Sequence, residues 1–324
     1  MQKNVIMSVD HLSKDFVIRG KKLGEKNKLL HALSDVSFDI YEGETLGIIG
    51  ESGCGKSTLG RCLVKLHKPS GGTITYNGKD LWNMPVYDRE AARRDIQMIF
   101  QDPYSSLDPR KTDSYSIEEA MKVHHIGDTA RERRQKALEY LQEVGLDIQH
   151  MERYPHEFSG GQRQRVNIAR ALSMEPKIIV CDEPVSALDV SIQAQVINLF
   201  RRLQKQFNLT YVFISHDLGI IKYISDRIMI MYLGRVMEFY TSEGIYADPK
   251  HPYTQALLSA IPPESPFEKK ERLPLTGDIP SPIGDQVGCP LAGRCPHCTE
   301  HCKKEIPKLV DTGDGHMVAC FLYE

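Results

Sequence analysis

Gly50-Glu51-Ser52-Gly53-Cys54-Gly55-Lys56-Ser57-Thr58 is the stretch on which the reading of this chain turns. It follows a short apolar run, Thr45 to Ile49, and precedes Leu59, Cys62, Leu63 and Leu66, which recur at helical spacing. The spacing G-x-x-x-x-G-K-[ST] between a strand and a helix predicts a loop that wraps phosphate. Glycines let backbone N–H groups converge on phosphate oxygens, and the helix beginning there adds the positive end of its dipole. Lys56 is placed to reach the outer phosphates and the Ser57 hydroxyl to hold Mg²⁺. Gly50, Ser52, Gly53, Cys54, Gly55 and Thr58 complete the cradle. Cys54, close to a helix N-terminus that would lower its pKa, reads either as a regulatory thiol or as a small filler.

Outward from the loop, Val36, Phe38 and Ile40 alternate with polar residues as a strand with one buried face does, and a Glu42-Gly43-Glu44 turn follows. Lys68 to Gly72 ends the helix after the loop, and Ile96 to Phe100 reads as a further strand. From about Asp102 to Pro155 the chain turns polar and then helical near Thr129 to Val144, with Ala137, Leu141 and Val144 inward, as an insertion between two halves of an α/β core. Ile178 to Cys181 and Tyr211 to Ser215 are apolar strands, separated by a helix expected to bury Ile192, Val196, Leu199, Leu203 and Phe207. Strands alternating with helices predict a mainly parallel sheet with its functional loops at the carboxyl ends. Ile228 to Leu233 and Val236 to Phe239 flank Gly234 as a hairpin.

The strand Ile178 to Cys181 runs directly into Asp182-Glu183. Four apolar residues ending in two acids deliver carboxylates to a bound metal: Asp182 to Mg²⁺ through its water shell, Glu183 to orient or deprotonate an attacking water. A solvated acidic turn is the alternative, and the phosphate loop weighs against it.

A chain of 324 residues, 26% charged with a net charge of -2, has no basic excess of the kind that marks a nucleic-acid binder. The first thirty residues carry Asp10, Lys14, Asp15, Arg19, Lys21, Lys22, Glu25, Lys26 and Lys28, and no apolar block suited to a signal peptide. Runs such as Ile228 to Leu233 are too short to cross a bilayer. The expectation is a cytosolic protein, at a membrane only where a partner holds it. No internal repeat is visible, and the nucleotide-binding unit occurs once.

Phe158-Ser159-Gly160-Gly161-Gln162-Arg163-Gln164-Arg165 resembles the signature sequence of the ATP-binding cassette (ABC) family, with Phe158 where Leu is usual. The family's other markers follow in order: Gln101 as the Q-loop glutamine, Ser186-Ala187-Leu188-Asp189 as the D-loop, His216 as the switch histidine, and Phe16 where an aromatic stacks on adenine. Each also has a bland reading: Gln101 as a loop residue, His216 as a capping or core histidine, Phe16 as core, and Asp189 as a helix cap. The resemblance covers about residues 8 to 250. It implies an α/β fold, a P-loop NTPase (RecA-like) core with an antiparallel β subdomain and an inserted α-helical subdomain at about 102–155. A cassette domain at 1–250 would then precede a small Cys-rich extension at 251–324. Glu183, His216 and Gln101 would be catalytic, with Mg²⁺ on Ser57, Gln101 and Asp182. Ser159, Gly160, Gly161, Gln162 and Asp189 would face ATP held by a second protomer, so a dimer is implied. ATP would close that dimer and hydrolysis reopen it, with Gln101 and the helical insertion passing the motion on.

His251-Pro252-Tyr253-Thr254-Gln255-Ala256-Leu257-Leu258 and Gly277-Asp278-Ile279-Pro280-Ser281-Pro282 resemble the region after the cassette in dipeptide and oligopeptide importer ATPases. Gly53 to Arg61 and Tyr154 to Phe158 are most similar to the F-type member of the family's paired D and F ATPases. The resemblance implies a peripheral ATPase on the cytoplasmic face of the cell membrane. Its partners would be two transmembrane permease subunits, a paralogous D-type ATPase in a heterodimer, and an extracytoplasmic solute-binding protein, with no nucleic acid. Related importers of nickel, glutathione or other small solutes keep the cargo open. A soluble ABC protein without transport usually joins two cassettes, and a regulatory scaffold fits poorly with an intact Glu183.

Beyond His251, Pro252, Pro262, Pro263, Pro266, Pro274, Pro280, Pro282, Pro290, Pro296 and Pro307 predict a tail poor in regular structure, which docking or a metal must hold. Its cysteines read Cys289-x₅-Cys295-x₂-Cys298-x₃-Cys302-x₁₇-Cys320. In a reducing compartment such a cluster suggests metal more than disulfides. The family pattern matches Cys289, Cys295, Cys302 and Cys320, which in related ATPases hold a [4Fe–4S] cluster. Cys298 is additional, and Cys295-x-x-Cys298 also suits Zn²⁺.

Overall fold

The computed structural model describes residues 4–20, 27–104, 106–261, 272–284 and 286–324. Lys21, Lys22, Glu25, Lys26, Pro262, Pro263 and Pro266 lie outside the described residues. The chain divides into two compact units. One gathers Met7–Ile40, Thr45–Thr75 and Ser215–Glu324; the other gathers Tyr41–Glu44 and Tyr76–Ile214 with the described residues up to Ile6.

The unit with the phosphate loop begins with β1 (Val5–Ile18), β2 (Lys28–Tyr41), β3 (Thr45–Ile49), α1 (Lys56–Leu63) and β4 (Gly71–Tyr76). β2, β1 and β4 lie side by side in one sheet. On β2, Val36, Phe38 and Ile40 are buried while their neighbours are more exposed, as the alternation predicts. β3 is buried at all five positions, the mark of a strand covered on both faces. Leu59, Cys62 and Leu63 are buried on α1. Leu66 is exposed, against expectation, because left-handed Lys65 (φ 61°) ends the helix and the Leu66 N–H turns back to the Arg61 carbonyl.

The other unit holds β5 (Lys79–Asp80), α2 (Val86–Asp95), β6 (Ile96–Ile99), α3 (Asp113–Val123), α4 (Ala130–Glu143), α5 (Gly160–Leu172), β7 (Ile178–Asp182), α6 (Val190–Phe207) and β8 (Thr210–Ile214). β8, β7 and β6 are parallel neighbours, with Cys181 opposite Phe213 on one side and Ile99 on the other. α4 starts where the Thr129 hydroxyl accepts the Glu132 N–H, and it buries Ala137 and Leu141. On α6 the buried face is Val196, Ile197, Leu199, Phe200 and Leu203. Ile192 is only half-buried, and Phe207, the helix's last residue before left-handed Asn208, is exposed; both depart from expectation. α2 is a helix that apolar spacing does not announce, because it buries Ala92 alone.

The chain then returns to the first unit as α7 (Leu218–Ile224), β9 (Arg227–Tyr232), β10 (Arg235–Thr241), α8 (Ser242–Ala247), α9 (Pro252–Ser259), β11 (Val310–Asp311) and β12 (Met317–Val318). β9 runs parallel to β3 and antiparallel to β10. Leu233 (φ 44°) and Gly234 (φ 77°) make the predicted hairpin turn, both left-handed as a two-residue turn between twisted strands requires. The tail docks: β12 pairs with β10, Glu238 opposite Val318, and β11 pairs with β12. α9 shows that Pro252 does not break a helix but opens one, since its missing N–H falls at the first helical position. No helix of the described residues is long and apolar enough to cross a membrane.

Candidate nucleotide-binding site

The chain leaves the carboxyl end of β3 at Gly50, where a Cβ would stand 2.2 Å from the Met231 carbonyl oxygen. At Gly55, with φ 103°, a Cβ would stand 2.3 Å from that of Ala32. Glycine is required at both positions, because the loop passes there against the backbone of Met231 and Ala32. Lys56 is buried at the start of α1, and its Nζ donates to the carbonyl oxygens of Gly50 (2.7 Å) and Glu51 (3.0 Å). A phosphate offers that ammonium a charged acceptor in place of two neutral ones. Ser57 and Thr58 are half-buried in the first turn of α1, while Ser52 and Gly53 are exposed. The Cys54 thiol is buried, and burial pushes its pKa up despite the Lys56 ammonium 3.8 Å away. Thiolate is therefore scarce at Cys54. Phe16, half-buried on β1, meets the His67 ring edge-on at 5.4 Å and lies 4.9 Å from the Lys14 ammonium. His216, beyond the end of β8, is exposed.

In the other unit Asp182 ends β7 and is buried. Gln101, two residues past β6, donates its Nε2 to Glu183 Oε2 at 2.8 Å. The parallel pairing of β6 and β7 delivers both side chains to one end of the strands. Glu183 has a left-handed backbone, φ 47°, rare for a residue with a side chain. The turn holds it there: its N–H donates to the Ile214 carbonyl at 3.0 Å, and its own carbonyl accepts from the Ser186 N–H and hydroxyl. Backbone strain of this kind, fixed by surrounding bonds, is concentrated at functional positions.

Ser159 caps α5. Its hydroxyl accepts the Gln162 N–H at 3.3 Å, and Gln162 Oε1 accepts the Ser159 N–H at 3.0 Å. This reciprocal box fixes the helix start and leaves Gly160 exposed beside it. Phe158 is buried against the His150 ring at 5.7 Å, so replacing Leu there alters the interior and not the exposed Ser159-Gly160 edge. Asp189 stands at the N-cap position of α6, yet its exposed side chain makes no capping hydrogen bond.

A family model described as "ABC transporter" matches residues 33–186, and one described as "Oligopeptide/dipeptide transporter, C-terminal region" matches residues 237–302. The oligopeptide transport ATP-binding protein AppF of Bacillus subtilis is 49% identical over 324 residues, covering 99% of this chain and 98% of its own length. The oligopeptide transport ATP-binding protein OppF of Haemophilus influenzae is 48% identical, covering 98% and 97%. This chain belongs to the ATP-binding subunits of the oligopeptide branch of ABC transporters. Among solved structures, the ATP-binding cassette MJ0796, in a dimeric post-hydrolysis state bound to ADP and phosphate, matches with a TM-score of 0.64 at 31% identity. The match covers 73% of this chain and 98% of that one. The fold is the ABC cassette fold, and the enzyme is an ABC-type ATPase.

In this ABC ATPase the tail brings Cys289, Cys295, Cys302 and Cys320 to the wall of one cavity of about 230 Å³, with Cys298 outside that lining. The Cys298 thiol donates instead to the Thr299 carbonyl. Burial pushes the Cys289 thiol up to about 11 and also raises Cys295 and Cys320. Among the described residues no three His, Cys, Asp or Glu side chains converge closely enough to hold a metal ion. Tyr253, which lies in the His251–Leu258 stretch but draws no site role from it, and Arg294, which lies in no motif, touch the phosphate loop at Glu51. They lie 202 and 243 positions from it, so no local pattern announces them.

Proposed function

We propose that this ATPase energises a membrane importer of di- and oligopeptides as its F-type subunit. The observation that carries the proposal is the likeness, over nearly the whole chain, to oligopeptide transport ATP-binding proteins, tail included. The same cassette serving a nickel, glutathione or other small-solute importer is the alternative. The cassette is taken as residues 1–250 and the extension as 251–324. Lys56 and the backbone of Gly50, Ser52, Gly53, Cys54, Gly55 and Thr58 hold the triphosphate, with Phe16 against adenine. Ser159, Gly160, Gly161, Gln162 and Asp189 face a partner protomer's nucleotide, the partner being a D-type paralogue. Two permease subunits and a solute-binding protein complete the complex at the cytoplasmic face of the membrane.

Hard oxygen donors suit Mg²⁺, and Asp182 offers a buried carboxylate at a strand end. Ser57, Gln101 and Asp182 would hold the ion, which when bound would neutralise phosphate charge. Glu183 acts on the attacking water, steadied by the Gln101 amide, and His216 orients the outer phosphate. Glu183→Gln keeps the hydrogen-bonding shape but not the base. It should lower hydrolysis by about 10²–10⁴-fold while Mg·ATP still binds. Steady-state ATP turnover by the assembled transporter checks this, and an unchanged rate would refute the role.

The four cavity thiols match the ligand count of a [4Fe–4S] cluster, in which each thiolate binds its own iron and the sulfurs need not converge on one point. Zn²⁺, with Cys298 drawn in, is the alternative. A cluster there would tie segments of the tail together. Anaerobically purified protein should carry about four irons with matching sulfide, and Cys298→Ser should keep them. Colourless protein with stoichiometric zinc counts against this assignment.

A further inference from the structure

Arg294 immediately precedes Cys295 and reaches into the phosphate loop. Its Nη1 donates to Glu51 Oε2 at 2.7 Å and its Nη2 to Glu51 Oε1 at 3.0 Å, with the Tyr232 hydroxyl 3.2 Å from Nη1. The side chains are 10% and 25% exposed, so this bidentate pair is weakly screened. Glu51 is bound at every other polar atom as well. Its N–H donates to the Tyr253 hydroxyl at 3.0 Å, and its carbonyl accepts from the Cys54 N–H at 3.2 Å and Lys56 Nζ at 3.0 Å. Arg294 is aimed by a tight turn of the tail, in which Ala292 N–H donates to the Cys289 carbonyl and both Arg294 and Cys295 N–H groups donate to that of Leu291.

The placement has an electrostatic meaning. Glu51 is an acid in a loop that must receive a polyanion, and an unpaired carboxylate there would repel it. We propose that Arg294 is a positioning residue for ATP binding, holding the Glu51 carboxylate turned toward the tail and neutralised so that the loop accepts a triphosphate. The proposal rests on reading residues 50–58 as the ATP cradle. The tail is thereby part of the nucleotide site, and its effect falls on binding and not on the hydrolytic step.

The test is Mg·ATP titration of the full chain by calorimetry, together with kcat and KM for ATP of the assembled transporter. Arg294→Ala should weaken ATP binding about 5- to 10-fold with kcat within about twofold, and Arg294→Lys should retain most of the affinity. Adding Glu51→Gln to Arg294→Ala removes the exposed charge and should recover most of the loss, a rescue that a disrupted fold would not give. Glu51→Gln alone should tighten ATP about two- to threefold, and this variant does not depend on the alanine protein folding. Unchanged or weaker binding in Glu51→Gln, unaltered affinity in Arg294→Ala, or no rescue in the double variant would each overturn the proposal. Lys56→Ala in the same assay separates the two readings. Normal affinity there refutes the cradle itself, whereas loss of binding beside an inert Arg294→Ala refutes only the role of Arg294.

Discussion

The phosphate loop and the cysteine-bearing tail belong to one compact unit and are shaped by different forces. Gly50 and Gly55 sit where a single added carbon would overlap a carbonyl oxygen, and Lys56 turns back onto the carbonyls of residues five and six positions before it. The tail instead takes its path from distant partners: Arg294 from Glu51, Val318 from its pairing with Glu238, and His316 from the Glu238 carboxylate. Demands that fall on consecutive residues leave a motif in the sequence, even where the oxygen enforcing one of them belongs to distant Met231. Contacts made by scattered single residues 78 to 243 positions apart leave none.

The largest effect is expected where that contrast is sharpest. Gly55→Ala forces a side chain into a left-handed backbone and 2.3 Å from the Ala32 oxygen, so loop or backbone must shift. The strain is about 1–3 kcal/mol before the displacement of the N–H groups is counted, and Mg·ATP affinity should fall by about 100-fold or more. Gly293 in the tail gives the paired control, since its added Cβ would meet nothing within 4 Å. Gly293→Ala should change affinity less than about twofold. Equal losses at the two glycines in the same calorimetric titration would erase the distinction between loop and tail.

What could be read in advance follows the same line. β3, the phosphate loop, α4 and the Gly234 hairpin are local patterns, and each falls where its spacing places it. α2 escapes because a helix burying only Ala92 has no apolar stripe to show. β11 and β12 are two residues long, too short for any alternation, and they exist only because β10 offers an edge. Leu66 and Phe207 keep the helical period of their neighbours but fall where the helix has stopped or is about to, so period alone misjudges them. At the site, the identities of Gln101 and Glu183 were legible, but the left-handed backbone that aims Glu183 comes from bonds to Ile214 and Ser186. Tyr253 was legible as part of the His251–Leu258 motif but not as a contact of the phosphate loop, and Arg294 was not legible at all.

The smaller effect lies at the tail's anchor and decides whether the tail matters to ATP. Glu238 is fully buried, and its carboxylate accepts from the N–H of Lys250 (2.8 Å), the N–H of His251 (3.0 Å) and His316 Nε2 (2.7 Å). His316 in turn stacks flat on Tyr240 at 4.3 Å. Glu238→Ala would strip three donors, two of them buried, of their acceptor at a cost of about 3–5 kcal/mol, by the precedent of buried pairs broken from one side. Limited proteolysis should then cut between residues 290 and 324 well before the cassette. The phosphate loop keeps the close approaches that shape it, because Ala32 and Met231 are untouched. ATP affinity should therefore fall only as far as in Arg294→Ala, about 5- to 10-fold, and not to the level of Gly55→Ala. A clipped tail with undiminished ATP affinity would show the extension to be a passenger, whereas complete loss of binding would mean the loop's shape comes from the tail and not from its own glycines.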